Sequence, residues 1–161
     1  VYRIMDARGR LSEKERAVIA SWHPSQYTLE IDGRRLGFFH GSPFEPATGY
    51  VYPDTGTGAF AKLDYDAVFM GHTHRPFKKW AGRVQVVNVG SCGLPRDRGN
   101  LASCAVYDTK TGKAEILRVR FEAGRVLRAY EGQIAKTVRD CLLRRPSAPV
   151  FGTIIEPSAA A

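Results

Sequence analysis

Three of the four histidines in this 161-residue chain follow short apolar segments and lie in turns that contain glycine. His40 follows the apolar run at residues 35–39, and His72 and His74 follow the run at residues 67–70. Side chains two residues apart on an extended backbone leave it on the same face, so His72 and His74 are predicted to point the same way. Two such imidazoles can bind one metal ion, or one ion each of a close pair. A lone His-x-His is also typical of an exposed turn or a buried pair, whereas three histidines at strand ends favour a metal site.

The sequence does not show all the metal ligands that a two-metal site would need. Three histidines are enough for a site with one metal ion and an open position, but a two-metal phosphoester site normally needs carboxylates. The fourth histidine, His23, stands in a polar stretch and is interpreted as a surface residue. Four aspartates are near in sequence but show no recognisable pairing with the histidines: Asp54, Asp64, Asp66 and Asp97. The sequence therefore shows part of a metal site.

The glycine-containing loop at residues 88–97 is a second candidate for binding chemistry. Backbone amides of such a turn can form an anion-binding nest, and the Arg96 side chain could then bind phosphate oxygens in a forked geometry. A structural turn with a surface contact between Arg96 and Asp97 explains the same residues equally well. Arg75 can likewise be interpreted as a phosphate-binding residue or as a structural surface residue.

The pattern along the chain predicts alternating strands and helices in one domain, residues 1–145, followed by a flexible tail at 146–161. A capping box at Ser12 and Glu15 indicates a helix over 11–22, and Asp32-Gly33 indicates a hairpin turn. An apolar stripe over 126–143 predicts one long helix. Strands are predicted at 26–31, 35–39, 67–70, 77–80, 84–87, 101–107 and 114–121, with a short helix at 58–63.

Composition bounds the class of protein. A mass of 17.8 kDa with 43% hydrophobic and 25% charged residues is ordinary for one globular domain. The net charge of +8 favours anionic partners without choosing among them. The three cysteines form no CxxC pattern and the first residues contain no signal-peptide core, so we expect a cytoplasmic protein with reduced thiols and no membrane association.

Three segments, in a fixed order, carry a resemblance to a known family. They read FFHGSP at residues 38–43, GHTHRP at 71–76 and NVGSCGLPRD at 88–97, and ASCAVYD follows at 102–108. The series resembles the C-terminal half of calcineurin-like metallophosphoesterases. It is most similar to the small bacterial phosphodiesterases related to diadenosine tetraphosphatases and protein serine/threonine phosphatases. Motifs in a fixed order are far more specific than any one alone.

The resemblance implies an α/β fold that is part of a two-sheet α/β sandwich flanked by helices. It implies two divalent metal ions at the C-terminal ends of strands, manganese first, with iron, zinc, nickel or magnesium as alternatives. His40 and His72 would bind the second ion and His74 the first. The implied activity is hydrolysis of phosphodiesters or phosphomonoesters by a metal-activated hydroxide. We further expect Arg75 and Arg96 to bind the substrate.

The family's DxH, GDxxD and GNHD motifs do not occur in this chain. In the family they supply the bridging aspartate, further ligands and often a histidine general acid. Family spacing would place GNHD just before Val1, so we expect an N-terminal half to be missing and these groups to lie upstream. Open strand edges would then favour self-association or pairing with that missing half.

Two other functions stay open at this point. One is a protein-binding scaffold of the same fold, as in the retromer small subunit, although three intact histidines weigh against it. The other is a basic nucleic-acid-binding domain, which is disfavoured because the arginines are scattered and no nucleic-acid-binding motif stands out.

Overall fold

The computed structural model describes residues 9–22 and 25–156, and His23 lies outside them. Helix α1 spans Glu13–Ala20. Its predicted capping box is confirmed, because the Ser12 hydroxyl accepts a hydrogen bond from the Glu15 N–H while the Glu15 carboxylate accepts one from the Ser12 N–H. Within the described ranges, no helix is long and apolar enough to cross a membrane.

A five-stranded mixed sheet forms the centre of the molecule. Its strands are β1 (Gln26–Ile31), β2 (Arg34–Phe39), β3 (Ala67–Met70), β4 (Phe77–Ala81) and β5 (Val84–Asn88). They lie in the order β1-β2-β3-β5-β4, and β3 runs parallel to both of its neighbours, β2 and β5. The C-terminal ends of β2, β3 and β5 therefore meet at one edge of the sheet, where the chain continues into the loops that carry the histidines.

The turn between β1 and β2 confirms the predicted hairpin. Asp32 and Gly33 both have positive φ, +51° and +70°, as the tightest hairpin turn requires. The pairing then starts directly at Ile31 opposite Arg34. This register places His40 immediately after the last paired residue of β2.

The core lies on both faces of β3 and β5, whose residues are all buried. Val68 and Met70 pack on one face with Phe60 of a 3₁₀ helix spanning Gly58–Lys62. Phe69 packs on the other face, together with Ile116 of a second sheet. Burial on both faces explains why these short strands are continuous apolar runs.

The second sheet contains β6 (Leu101–Asp108), β7 (Lys113–Arg120) and β8 (Thr153–Ile155), in that order. The α/β architecture with two packed sheets agrees with the predicted fold. β8 pairs parallel to β7 inside the segment that we expected to be a flexible tail. Three tail residues are thus held in a sheet, because Arg118 and its neighbours on β7 leave an edge that they can pair with; the domain boundary at 145 stays a prediction.

The predicted long helix over 126–143 is wrong. The structure has two short helices, α2 (Ala123–Ala129) and α3 (Lys136–Leu142). Gly132 lies between them with φ of +74°, a left-handed conformation that ends helical hydrogen bonding. Only the C-terminal part of the apolar stripe is buried, at Cys141 and Leu142.

Candidate metal centre

The side chains of His40 and His72 converge at the edge where β2 and β3 end. Nδ1 of His72 lies 2.8 Å from Nε2 of His40. This contact is a hydrogen bond between the two rings. Two imidazole nitrogens bound to one ion at about 2.0–2.1 Å are also held roughly 3 Å apart, so the spacing is compatible with a shared divalent metal ion that replaces the bonding proton. The Tyr50 ring packs on His72, with ring centroids 4.2 Å apart, and restricts the orientation of that imidazole.

His74 is oriented by a different contact. Its Nδ1 lies 2.8 Å from the carbonyl oxygen of Leu94. A carbonyl only accepts hydrogen bonds, so Nδ1 carries the proton and Nε2 of the neutral ring keeps its lone pair. A backbone carbonyl that fixes one ring nitrogen is the usual support for a histidine that binds metal through the other.

The backbone of the His72–His74 turn differs from the prediction. His72 and His74 have φ of +61° and +56°, so both are left-handed and the expected extended backbone is wrong. For residues other than glycine this conformation costs roughly 1–2 kcal/mol each. Because of this bend, His72 faces His40 while His74 reaches the loop that contains Leu94. Strained residues of this kind cluster at functional sites.

Asn88, the last residue of β5, joins the two loops beneath the histidines and is fully buried. Its side-chain amide donates to the Gly71 carbonyl at 2.8 Å and to the Thr73 hydroxyl at 3.0 Å. Its side-chain oxygen accepts the N–H of Gly90 at 3.0 Å. One side chain therefore fixes the histidine turn relative to the loop at 88–97, a role that the sequence did not reveal.

The electrostatic environment favours a neutral His72. Partial burial, followed by the nearby charges of His40, His74 and Arg96, lowers the pKa of His72 below its ordinary value. The neutral imidazole is the form that binds metal.

The aspartates do not complete the site. Asp64 forms ion pairs with Arg35 and Arg83, and the Asp66 carboxylate accepts the Arg35 N–H at 2.8 Å. Both carboxylates therefore have partners other than the histidines. Across the part of the chain that the structure describes, no three His, Cys, Asp or Glu side chains form a group able to hold a metal ion.

Asp97 has a structural partner, Arg118 of β7. The two side chains make a bidentate ion pair at 2.7 and 3.1 Å, and the Arg118 side chain is wholly buried. The alternative of a surface contact between Arg96 and Asp97 stays a prediction. Arg118 falls on the inward-facing side of β7 with Ala114 and Ile116, and an arginine at such a position was the available signal for a buried partner.

Both candidate substrate-binding arginines line one cavity of about 340 Å³ beside His74. The Arg96 N–H donates to the His74 carbonyl at 3.0 Å, and Arg75 directly follows His74. A third arginine, Arg144, lines the same cavity. The sequence did not single it out, because it stands beyond the motifs.

Fold and site together define an α/β protein whose histidine-bearing loops gather at the C-terminal ends of parallel strands. The chain belongs to the calcineurin-like phosphoesterase superfamily, since the model of the calcineurin-like phosphoesterase superfamily domain matches residues 4–112. The predicted family is confirmed.

Individual relatives are similar over part of their length. An uncharacterised protein of Methanocaldococcus jannaschii is 33% identical over 118 residues, which covers 63% of this chain and 46% of that protein. The chain thus spans less than half of this curated relative.

Two solved structures share the fold. A hypothetical protein of Pyrococcus horikoshii OT3 superposes with a TM-score of 0.73 at 20% identity, over 87% of this chain and 57% of that one. A metallophosphoesterase of Sphaerobacter thermophilus superposes with a TM-score of 0.68 at 21% identity, over 83% of this chain and 62% of that one.

Proposed function

We propose that this chain is the histidine-bearing part of a metal-dependent phosphoesterase with two divalent ions, manganese before iron, zinc, nickel or magnesium. His40 and His72 would hold one ion, and His74 would hold the other through Nε2. Membership of a phosphoesterase superfamily supports the reaction class. Three free cysteines, Cys92, Cys104 and Cys141, support a reducing, cytoplasmic setting.

The observation that carries the proposal is the separation of 2.8 Å between Nδ1 of His72 and Nε2 of His40. The two rings come from the ends of neighbouring parallel strands, so the sheet itself sets their separation. The strained turn at His72 then directs the ring toward His40, where an undistorted strand end would direct it elsewhere.

The bound ions would supply Lewis-acid chemistry and lower the pKa of a coordinated water. The residues of this chain orient the reactants. Arg75 and Arg96 provide guanidinium groups beside His74 that can bind phosphate oxygens of the substrate. Asn88 and the Leu94 carbonyl keep the histidine rings in place. We propose that bridging and acidic groups come from outside the described residues, as the family's DxH, GDxxD and GNHD motifs would provide.

Hydrolysis of bis-p-nitrophenyl phosphate tests this function. The chain is expressed as it stands and as the longest open reading frame that contains it, and each is assayed with manganese. We expect manganese-dependent hydrolysis from the longer product, reduced about 100-fold or more in a His72→Ala variant. Full activity of the chain as it stands would contradict the need for further ligands.

The matched control is His23→Ala, which removes the histidine to which the sequence assigns no role, and we expect it to leave the rate unchanged. A longer product that binds manganese no better than its His40→Ala variant would favour the scaffold alternative instead.

A further inference from the structure

A cavity with three arginines adjoins the histidine turn. Arg75, Arg96 and Arg144 line it, and none of the described residues in its lining is an aspartate or glutamate. The remaining lining residues are Tyr52, Thr73, Leu94, Thr137, Val138 and Cys141. Like charges that share a cavity repel one another unless an anion lies between them, so this lining favours an anionic ligand.

A hydrogen bond within the cavity wall holds the Arg144 side chain in place. Nη1 of Arg144 donates to the Arg96 carbonyl at 2.8 Å, which joins the end of α3 to the loop at 88–97. Among the described residues, the Arg75 guanidinium has no hydrogen-bond or ion-pair partner. An arginine fork binds phosphate oxygens in pairs, and a phosphate carries more charge than a carboxylate, so phosphate matches this lining best.

The α3 side of the cavity is anchored by close backbone packing. A side chain at Gly99 would collide with the backbone of Cys141 and Leu142, and the Gly99 N–H donates to the Arg144 carbonyl at 3.0 Å. The Cys141 thiol also donates to the Pro95 carbonyl at 3.3 Å. The cavity is therefore a built feature of the fold.

The position of the cavity connects it to the metal centre. Thr73 and Arg75, on either side of His74, both line it. A volume of about 340 Å³ is at the small end of the range for small-molecule sites, roughly 300–1,000 Å³, and excludes a folded protein segment. The residues from α3 lie beyond residue 112, where the match to the superfamily domain ends.

We propose that this arginine cavity binds a second phosphate group of a small substrate, whose other phosphate is the one hydrolysed at the histidines. The substrate half of this inference rests on the proposed function. The cavity itself is a phosphate site independent of any metal ion. It defines the substrate class as small compounds that carry at least two phosphate groups.

The first experiment titrates inorganic phosphate into the metal-free full chain at constant ionic strength, followed by ¹H–¹⁵N NMR. We expect saturable shifts at the amides of Thr137, Val138 and Cys141. Arg144→Gln should weaken this binding about tenfold. Thr137→Glu, at an exposed position, should abolish it by placing a carboxylate at the cavity, and it keeps the test valid if the Arg144 variant does not fold.

The matched control is Arg139→Gln, which removes the same charge within α3, five residues before Arg144, but lines a different cavity. It should change phosphate affinity less than twofold. Equal weakening by Arg139→Gln and Arg144→Gln, or shifts that avoid α3 altogether, would overturn the phosphate site.

The second experiment compares adenosine 5′-monophosphate with adenosine 3′,5′-bisphosphate in the presence of manganese. The extra phosphate should tighten binding about tenfold, and Arg144→Gln should remove this gain. If inorganic phosphate binds but the extra phosphate gives no gain, the substrate assignment is wrong. If the first experiment succeeds while manganese never binds, the proposed function fails and the phosphate site stands.

Discussion

At the scale of single residues, the proposed metal site depends on the orientation of the His72 and His74 imidazole rings. Both occupy left-handed backbone conformations, and their neighbours hold them there. Thr73 between them is buried and hydrogen-bonded to Asn88. The strain is thus balanced by a buried polar contact, as expected where ring direction matters more than local stability.

Two substitutions at His72 separate folding from metal binding. Asparagine tolerates left-handed backbone, so His72→Asn should leave the free energy of unfolding within about 0.5 kcal/mol of the parent. His72→Val should lower it by about 1–2 kcal/mol, because a β-branched residue is strained there. Both should lose metal affinity equally. Urea denaturation and metal titration measure the two quantities, and equal stabilities of the two variants would argue against the left-handed turn.

At the scale of elements, the second sheet supports the candidate metal centre through one ion pair. Arg118 on β7 binds Asp97, and the loop that contains Asp97 also supplies the carbonyl of Leu94 to His74. Arg118 donates in addition to the carbonyls of Leu101 and Phe151. A wholly buried guanidinium with these partners fixes the loop relative to the sheet.

Removing one member of the Arg118–Asp97 ion pair should lower the stability of the protein. Asp97→Ala leaves the Arg118 charge buried without its carboxylate, and we expect the free energy of unfolding to fall by about 3–5 kcal/mol. Replacing both residues, with Arg118→Met and Asp97→Ala, should restore much of that loss, because no charge stays buried. Chemical denaturation of the single and double variants gives the comparison. A double variant less stable than Asp97→Ala would show that the ion pair is not the source of the loss.

The break between α2 and α3 offers a second test at this scale. Gly132 has φ of +74° and open space around it, so Gly132→Ala should cost about 1–2 kcal/mol from backbone strain alone. The control is Gly124→Ala inside α2, which should stabilise the protein by about 0.5–1 kcal/mol. Thermal unfolding of both variants measures these changes in stability. If Gly132→Ala is also stabilising, the chain forms the single continuous helix that its apolar stripe predicts.

At the scale of the whole molecule, much of the fold followed from local patterns. The Asp32-Gly33 turn and the apolar run Ala67–Met70 were predicted because their signals lie within a few residues. The break at Gly132 was missed because the apolar stripe continues across it. The strand Thr153–Ile155 consists of β-branched residues but is only three residues long, and it pairs where β7 offers an edge.

For the candidate site, the sequence predicted the histidines but not the residues that support them. Histidines beside glycine at strand ends are visible in the sequence, and the sheet order then brings His40 and His72 together. The buried links through Asn88 and Arg118 join residues distant in sequence. The inward-facing position of Arg118 on β7 indicates a buried partner but does not identify it as Asp97. Arg144 was missed for the same reason, since folding alone places it beside Arg75.

Exposed apolar residues on and beside α1 favour self-association of the chain. Every residue of α1 is exposed, including Val18 and Ile19, and Trp22 beyond it is 66% exposed. Such apolar exposure favours association. We expect sedimentation velocity to show oligomers of the chain at micromolar concentration, reduced by Ile19→Lys and unchanged by Lys14→Arg on the same helix. A monomer at all concentrations would contradict this prediction.

The central claim is that three histidines bind divalent metal through particular ring nitrogens. Long-range ¹H–¹⁵N NMR of the imidazoles during a zinc titration tests it most directly, since zinc is diamagnetic and takes histidine ligands. We expect Nε2 of His40, Nδ1 of His72 and Nε2 of His74 to shift together, and we expect no response from His23. Zinc that leaves His40 and His72 unchanged while His23 responds would contradict the account.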